Sequence, residues 1–218
     1  MADDDSRAGI RYADPSIVRY CDDAHAALDS GLLAAFSAPK QTGIPAIMVG
    51  KSEGRLLNLL VRLSGAKRAV EVGTLAGFSA LQIARSLPKD GHLWTIENEP
   101  LHADVARQNI VDDGLGDRVE IVLADGPQGL AQIAPNGPFD LVFLDADKER
   151  YDVYAHWAIE NLRPGGLILV DNAYFFGQLL DETDEAAAVR AMHVYVAAHC
   201  DSVCIPTPDG LVLGIKRS

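Results

Sequence analysis

The sequence predicts an α/β fold: a mostly parallel seven-stranded sheet with helices on both faces and a C-terminal antiparallel hairpin. Three observations carry that expectation. Short β-rich runs alternate with helical stretches along the chain, the pattern of a parallel sheet covered by helices. Five of the runs are almost continuously apolar, as strands buried on both faces are. Beyond residue 199 the alternation gives way to two strands around Pro206-Thr207-Pro208-Asp209-Gly210, a turn that pairs them antiparallel at one edge.

Taken in order, Met1-Ala2-Asp3-Asp4-Asp5 is an acidic, frayed start. Apolar spacing predicts a helix over 17–36, within an N-terminal helical segment 1–40, and a second over 52–64 that feeds the first strand. Strands are expected at 69–72, 93–97, 119–123, 141–144 and 167–170, with helices at 77–86, 101–112, 151–161 and 184–199 between and after them. Pro164-Gly165-Gly166 reads as a stop ahead of the fifth strand, and the hairpin strands fall at 203–205 and 211–216.

The 218 residues, 48 % of them hydrophobic, support one core, so a single domain over 1–218 is expected. A net charge of -12, from 19 Lys+Arg and 31 Asp+Glu, repels phosphate backbones and anionic lipid and disfavours both as partners. The 3 cysteines, Cys21, Cys200 and Cys204, have no paired spacing for a disulfide framework or a zinc site. No apolar run reaches the roughly 20 residues of a membrane span, and the acidic start is unlike a signal peptide. A cytoplasmic protein is therefore expected. The histidines His92, His102, His156 and His193 read as ordinary surface or helix residues.

Val70 to Ser79 is a strand, a glycine turn and a helix start, a place where backbone can approach a nucleotide. The spacing is G-x-x-x-G behind Glu71, not the G-x-G-x-x-G that seats a pyrophosphate on a helix N-terminus. An acidic residue there repels a pyrophosphate and favours a cationic ligand. With Glu97 closing the second strand and Asp125-Gly126 ending the third, the combination suits S-adenosylmethionine better than NAD. The plainer alternative is a tight turn and a solvated strand end.

Asp145 and Asp171-Asn172 end two further strands, on the rim where open α/β sheets bind ligands. Two carboxylates and an amide oxygen make a hard site for Mg²⁺ first, with Ca²⁺ or Mn²⁺ as alternatives. Such a cation keeps room for two vicinal hydroxyls and a water, which favours a catechol-like acceptor. Lys148 follows Asp145 by one helical turn and is placed to face the same pocket. An Asp145–Lys148 ion pair and a polar turn at 171–172 are the structural alternatives.

Met48-Val49-Gly50 through Gly54, Glu71-Val72-Gly73-Thr74 with Gly77-Phe78-Ser79, Glu97, Phe139 through Lys148, and Leu162 to Gly166 leading to Asp171-Asn172 occur in a single order. With these motifs, from about Gly43 onward, the chain resembles the metal-dependent S-adenosylmethionine O-methyltransferases, the group of catechol O-methyltransferase and caffeoyl-CoA O-methyltransferase. The resemblance implies a Rossmann-like class I methyltransferase fold. It implies that Val49, Glu71, Gly73 and Ser79 surround the methionine part of the cofactor, Glu97 binds the ribose, and Asp125-Gly126 lies by the adenine. It further implies Asp145, Asp171 and Asn172 as metal ligands and Lys148 as catalytic base, with Asp145 also touching cofactor and chemistry. Family members are typically homodimers whose N-terminal segment often joins the acceptor pocket or the dimer.

The implied chemistry starts from a phenol with a pKa of about 10, little ionised at neutral pH. A coordinated cation stabilises the oxyanion, and Lys148 takes the proton, its own pKa lowered by the cation and by burial. The oxygen then attacks the sulfonium methyl in line, alignment supplying most of the acceleration. Tyr174-Phe175-Phe176 reads as an aromatic wall for a flat small-molecule aromatic acceptor, or as core or dimer contacts. Pro45 and Asp147 stand where catechol O-methyltransferase has tryptophans, and no basic cluster suits a CoA tail. Competing readings are a tRNA 5-hydroxyuridine O-methyltransferase and a non-catalytic nucleotide-binding regulatory module.

Overall fold

A computed structural model describes residues 14–218; the acidic Met1–Asp5 start lies outside them. Strands β1 (Arg68–Val72), β2 (His92–Glu97), β3 (Val119–Leu123), β4 (Phe139–Leu144), β5 (Leu162–Val170), β6 (Cys200–Ile205) and β7 (Leu211–Lys216) form one sheet in the order β3-β2-β1-β4-β5-β7-β6. The five strands from β3 to β5 run parallel, and β7 pairs antiparallel with both β5 and β6. After β1 the chain builds outward to one side, then returns to lay β4 on the other. That reversal opens the crevice in which doubly wound sheets bind ligands.

Helices α1 (Pro15–His25), α2 (Ser30–Thr42) and α3 (Lys51–Ser64) precede the sheet. They are followed by α4 (Phe78–Ala84), α5 (Pro100–Asp112), α6 (Gly126–Ile133), α7 (Tyr151–Asn161) and α8 (Asp184–His199). Side chains alternate across the sheet with the strand period of two. Val142, Leu144, Ile168 and Val170 meet Leu130, Tyr154, Ile159 and Met192 of α6, α7 and α8. Leu141, Phe143, Leu167 and Leu169 belong to the opposite layer with Leu32, Leu57, Val61, Phe78 and Ile110 of α2 to α5. Each fully buried side chain of this kind contributes about 1.5–3 kcal/mol.

Three expectations are revised. Residues 17–36 form two helices, because the Asp29 carboxylate accepts the Leu32 N–H at 3.0 Å and starts α2 afresh. Arg85 holds that cap from across the fold, 2.6 Å from Asp29. Pro164-Gly165-Gly166 lies inside β5, where the register with β4 shifts between Phe139 and Leu141 and Gly165 takes φ 75. The interruption is therefore a bulge within the strand. Helix α6 was not expected, although its buried positions 126, 129, 130 and 133 follow the helical period, with Asp125 at its N-cap and a proline in its first turn.

All three cysteines are free thiols, and Cys200 is buried. Among the described residues no helix is long and apolar enough to cross a membrane.

Phe139 is fully buried, its ring 5.6 Å from both Trp94 and Trp157. Truncation by Phe139→Ala is expected to cost about 3–5 kcal/mol in denaturant unfolding, against about 0.5 kcal/mol or less for Val203→Ala on the exposed edge.

Candidate active site

Five strand ends share one rim because the parallel ladder runs one step past them. The Asp145 N–H donates to Val72 O at 2.9 Å, Asp171 N–H to Leu144 O at 3.0 Å, Gly73 N–H to Ile96 O at 3.0 Å, and Ala124 N–H to Glu97 O at 2.9 Å. Above this rim lies a cavity of about 600 Å³, within the range of small-molecule sites.

Of the residues expected at the cofactor, Val49, Gly73, Ser79, Glu97 and Gly126 line the cavity. Asp145, Lys148 and Asn172 line it too. Gly73 has φ +99, and a Cβ there would overlap the Asp145 carbonyl oxygen, so only glycine lets β1 and β4 end this close together. Glu97 uses both carboxylate oxygens as backbone caps: Oε2 accepts Thr74 N–H (3.2 Å) and Leu75 N–H (2.8 Å), and Oε1 accepts Asn98 and Glu99 N–H, each at 3.0 Å. This one side chain shapes the glycine turn and the start of α5 together.

Glu71, Asp125 and Asp171 do not line the cavity. Glu71 lies fully buried beneath it. Thr95 Oγ1 donates to Glu71 Oε2 at 2.6 Å and is itself 2.6 Å from Thr74 Oγ1, while Glu71 Oε1 is buried without a partner. Burial pushes the Glu71 carboxyl up to about 8, with the charges of Asp145 and Glu97 adding to the rise. Asp125 turns to the protein surface, where Oδ1 accepts from Arg150 Nη1 at 2.6 Å, so Gly126 alone of that pair faces the cavity.

Asp171 is buried, and desolvation followed by the nearby charges of Asp145 and Glu53 raises its carboxyl far above the carboxylate range. Lys148 Nζ lies 3.1 Å from Asp145 Oδ1 and donates to the Tyr151 hydroxyl at 2.6 Å. That hydroxyl donates onward to the Asp171 carbonyl at 3.1 Å. Among the described residues no group of three His, Cys, Asp or Glu side chains is arranged for a metal. The expected set is two carboxylates and the Asn172 amide, and it fits a hard cation. Burial is the main cause of the rise at Asp171, and the repulsion by Asp145 that adds to it is what such an ion would neutralise. Asn172 itself sits at φ +52, a left-handed conformation that asparagine tolerates well.

Of the aromatic triplet only Phe176 reaches the cavity. Phe175 packs against the core and Tyr174 against Gly210 of the hairpin turn. His102, read as an ordinary helix residue, also lines the cavity, 3.4 Å from Glu97. Tyr154 joins it, donating its hydroxyl to Asp147 Oδ1 at 2.5 Å. Both stand in the first turn of the helix that follows a strand-end acid, the placement that would have revealed them.

Residues 24–217 match the family profile described as O-methyltransferase. The chain belongs to the O-methyltransferase family. This methyltransferase is 42% identical over 204 residues to a catechol O-methyltransferase of Niastella koreensis, covering 93% of this chain and 92% of that protein. It is 41% identical over 177 residues to a catechol O-methyltransferase of Mycobacterium tuberculosis, covering 81% and 80%. The crystal structure of an O-methyltransferase from Bacillus cereus in complex with SAH superposes with a TM-score of 0.88 at 32% identity, covering 93% of this chain and 97% of that one. The chain is thus an O-methyltransferase of the catechol and caffeoyl-CoA type, with the Rossmann-like fold expected of it.

Glu71 has a pH signature. Its folded-state pKa lies above the ordinary value of 4.5, so its contribution to stability is complete below about 4.5 and is lost as pH rises through about 8. The ligand-free protein is expected to lose up to about 5 kcal/mol over that window. Glu71→Gln lacks this component, so the urea midpoint of the variant should gain on the parent as pH rises from 5 to 9.

Proposed function

We propose that the enzyme methylates one hydroxyl of a vicinal dihydroxy aromatic small molecule, with Lys148 as general base. The observation that carries this reading is the meeting of Lys148 Nζ with Asp145 at 3.1 Å inside the cavity, beside Asn172 and Phe176. The catechol O-methyltransferases among its relatives support the acceptor class. Lys148 is the lone lysine or arginine among the lining residues, which offers a nucleic-acid backbone little.

S-adenosylmethionine supplies the methyl group when bound and leaves as S-adenosylhomocysteine. Glu97 faces its ribose, Gly73 and Ser79 its methionine part, and Gly126 with Tyr154 the adenine side. Asp145, Asp171 and Asn172 would hold a divalent cation, Mg²⁺ in first place, whose charge would stabilise the ionised acceptor oxygen. Lys148 accepts the hydroxyl proton at Nζ. Tyr151 keeps that amine in place from below, and Asp145 keeps it turned toward the acceptor. Met48 and Phe176 supply apolar walls for the ring and exclude water from the reacting oxygen.

Lys148→Ala is expected to lower kcat by about 10²–10⁴-fold while calorimetry shows S-adenosylmethionine affinity nearly unchanged. Equal loss of binding and turnover would count against Lys148 as base. With a panel of catechols, mass spectrometry should find a one-methyl gain that disappears on exhaustive chelation and returns with Mg²⁺. Methylation indifferent to chelation would remove the cation from the reading.

A further inference from the structure

We propose that Asp209, on the turn joining β6 to β7, is a positioning residue that selects the acceptor by fixing Phe176. The proposal rests on the acceptor reading above. Asp209 is outside the cavity lining, so it acts through Phe176, which is inside it.

The loop that carries Phe176 has costly backbone. Asn172, Phe175 and Phe176 take φ of +52, +49 and +53, the left-handed region that side-chain-bearing residues seldom adopt. Such conformations persist where the surroundings over-determine them. Here the surroundings are the hairpin turn. Ala173 N–H donates to Gly210 O at 3.0 Å and Tyr174 N–H to Asp209 O at 2.8 Å. The Tyr174 ring covers Gly210 so closely that a Cβ there would lie 2.8 Å from it.

Those contacts hold the near half of the loop through backbone groups, with glycine required at 210 and no side chain of 209 involved. The far half is different. Phe176 N–H donates to the Asp209 side chain, Oδ1, at 2.9 Å, and this is the bond that depends on which residue stands at 209. Phe176 is 63% exposed, and its ring lies tilted against that of Phe175 at 6.0 Å. The second oxygen, Asp209 Oδ2, is buried without a partner, so the carboxylate is packed in place with the Phe176 amide as its side-chain bond. A charged acceptor makes that bond stronger than a neutral one. The angle at which Phe176 enters the cavity, and the width left for a ring, follow from it.

The test compares the unchanged chain with Asp209→Ala, Asp209→Asn and Phe176→Ala. Asparagine keeps an oxygen that can accept the Phe176 N–H; alanine does not. Amide hydrogen exchange over 172–177 should rise about tenfold in Asp209→Ala and stay within about twofold in Asp209→Asn. With small and bulky catechols, the ratio of kcat/KM between them should move about fivefold or more in Asp209→Ala, through acceptor KM, while KM for S-adenosylmethionine stays constant. In the Phe176→Ala background, Asp209→Ala should leave that ratio where it is. Unchanged exchange in Asp209→Ala overturns the proposal, as does faster exchange with an unaltered ratio. If the unchanged chain methylates no catechol, the acceptor reading fails and the proposal falls with it. An active panel with unaltered ranking removes the proposal alone.

Discussion

The hydrogen bond from the Asp145 amide to the Val72 carbonyl, 2.9 Å long, carries the β1–β4 ladder one residue beyond its last strand pair. Everything in the site hangs from that junction. β1 and β4 are the strands between which the sheet reverses its order of construction, so their ends diverge into a crevice just as their hydrogen bonding ceases. Gly73 lets the two backbones close up, and the same closure aligns Asp145 with the neighbouring ends at Glu97 and Asp171. A side chain at position 73 would strike the backbone of Asp145 and push the two halves of the site apart.

The acids at this rim are held by different means. Glu97 is satisfied by four backbone N–H groups, which makes it structural as well as cavity-facing. Glu71 and Asp171 are desolvated, each with a raised pKa and each short of a countercharge. The fold tolerates them because the surrounding layers are well packed, with Val70, Val72, Phe143 and Leu169 fully enclosed or nearly so. A carboxyl whose pKa is raised by folding ties stability to pH, so both positions destabilise the fold as they ionise.

Much of this was legible in the sequence. Continuous apolar runs located β1, β2, β4 and the body of β5 because parallel strands bury both faces, and the strand-end acids followed from where those runs stop. Less legible were features that depend on three-dimensional company. Asp29 splits the N-terminal helix with the support of Arg85, 56 positions away in the chain. Asp125 looks like a ligand by its place after β3, yet Arg150 draws it outward. Phe175 and Phe176 are neighbours of one residue type with opposite fates, because left-handed backbone at both turns one inward and leaves the other over the cavity.

The position of β7 has a consequence for how the chain is made. Its residues, Leu211–Lys216, pair with β5 on one side and β6 on the other, so a segment near the end of the sequence is an interior strand of the sheet. During synthesis β5 exists for some forty residues of chain growth with one edge uncovered. Open apolar edges are templates for pairing with other chains. Until β7 is made, the growing chain therefore carries an unpaired strand edge, the feature that makes partly folded chains prone to associate. Only the arrival of the final strand closes the sheet.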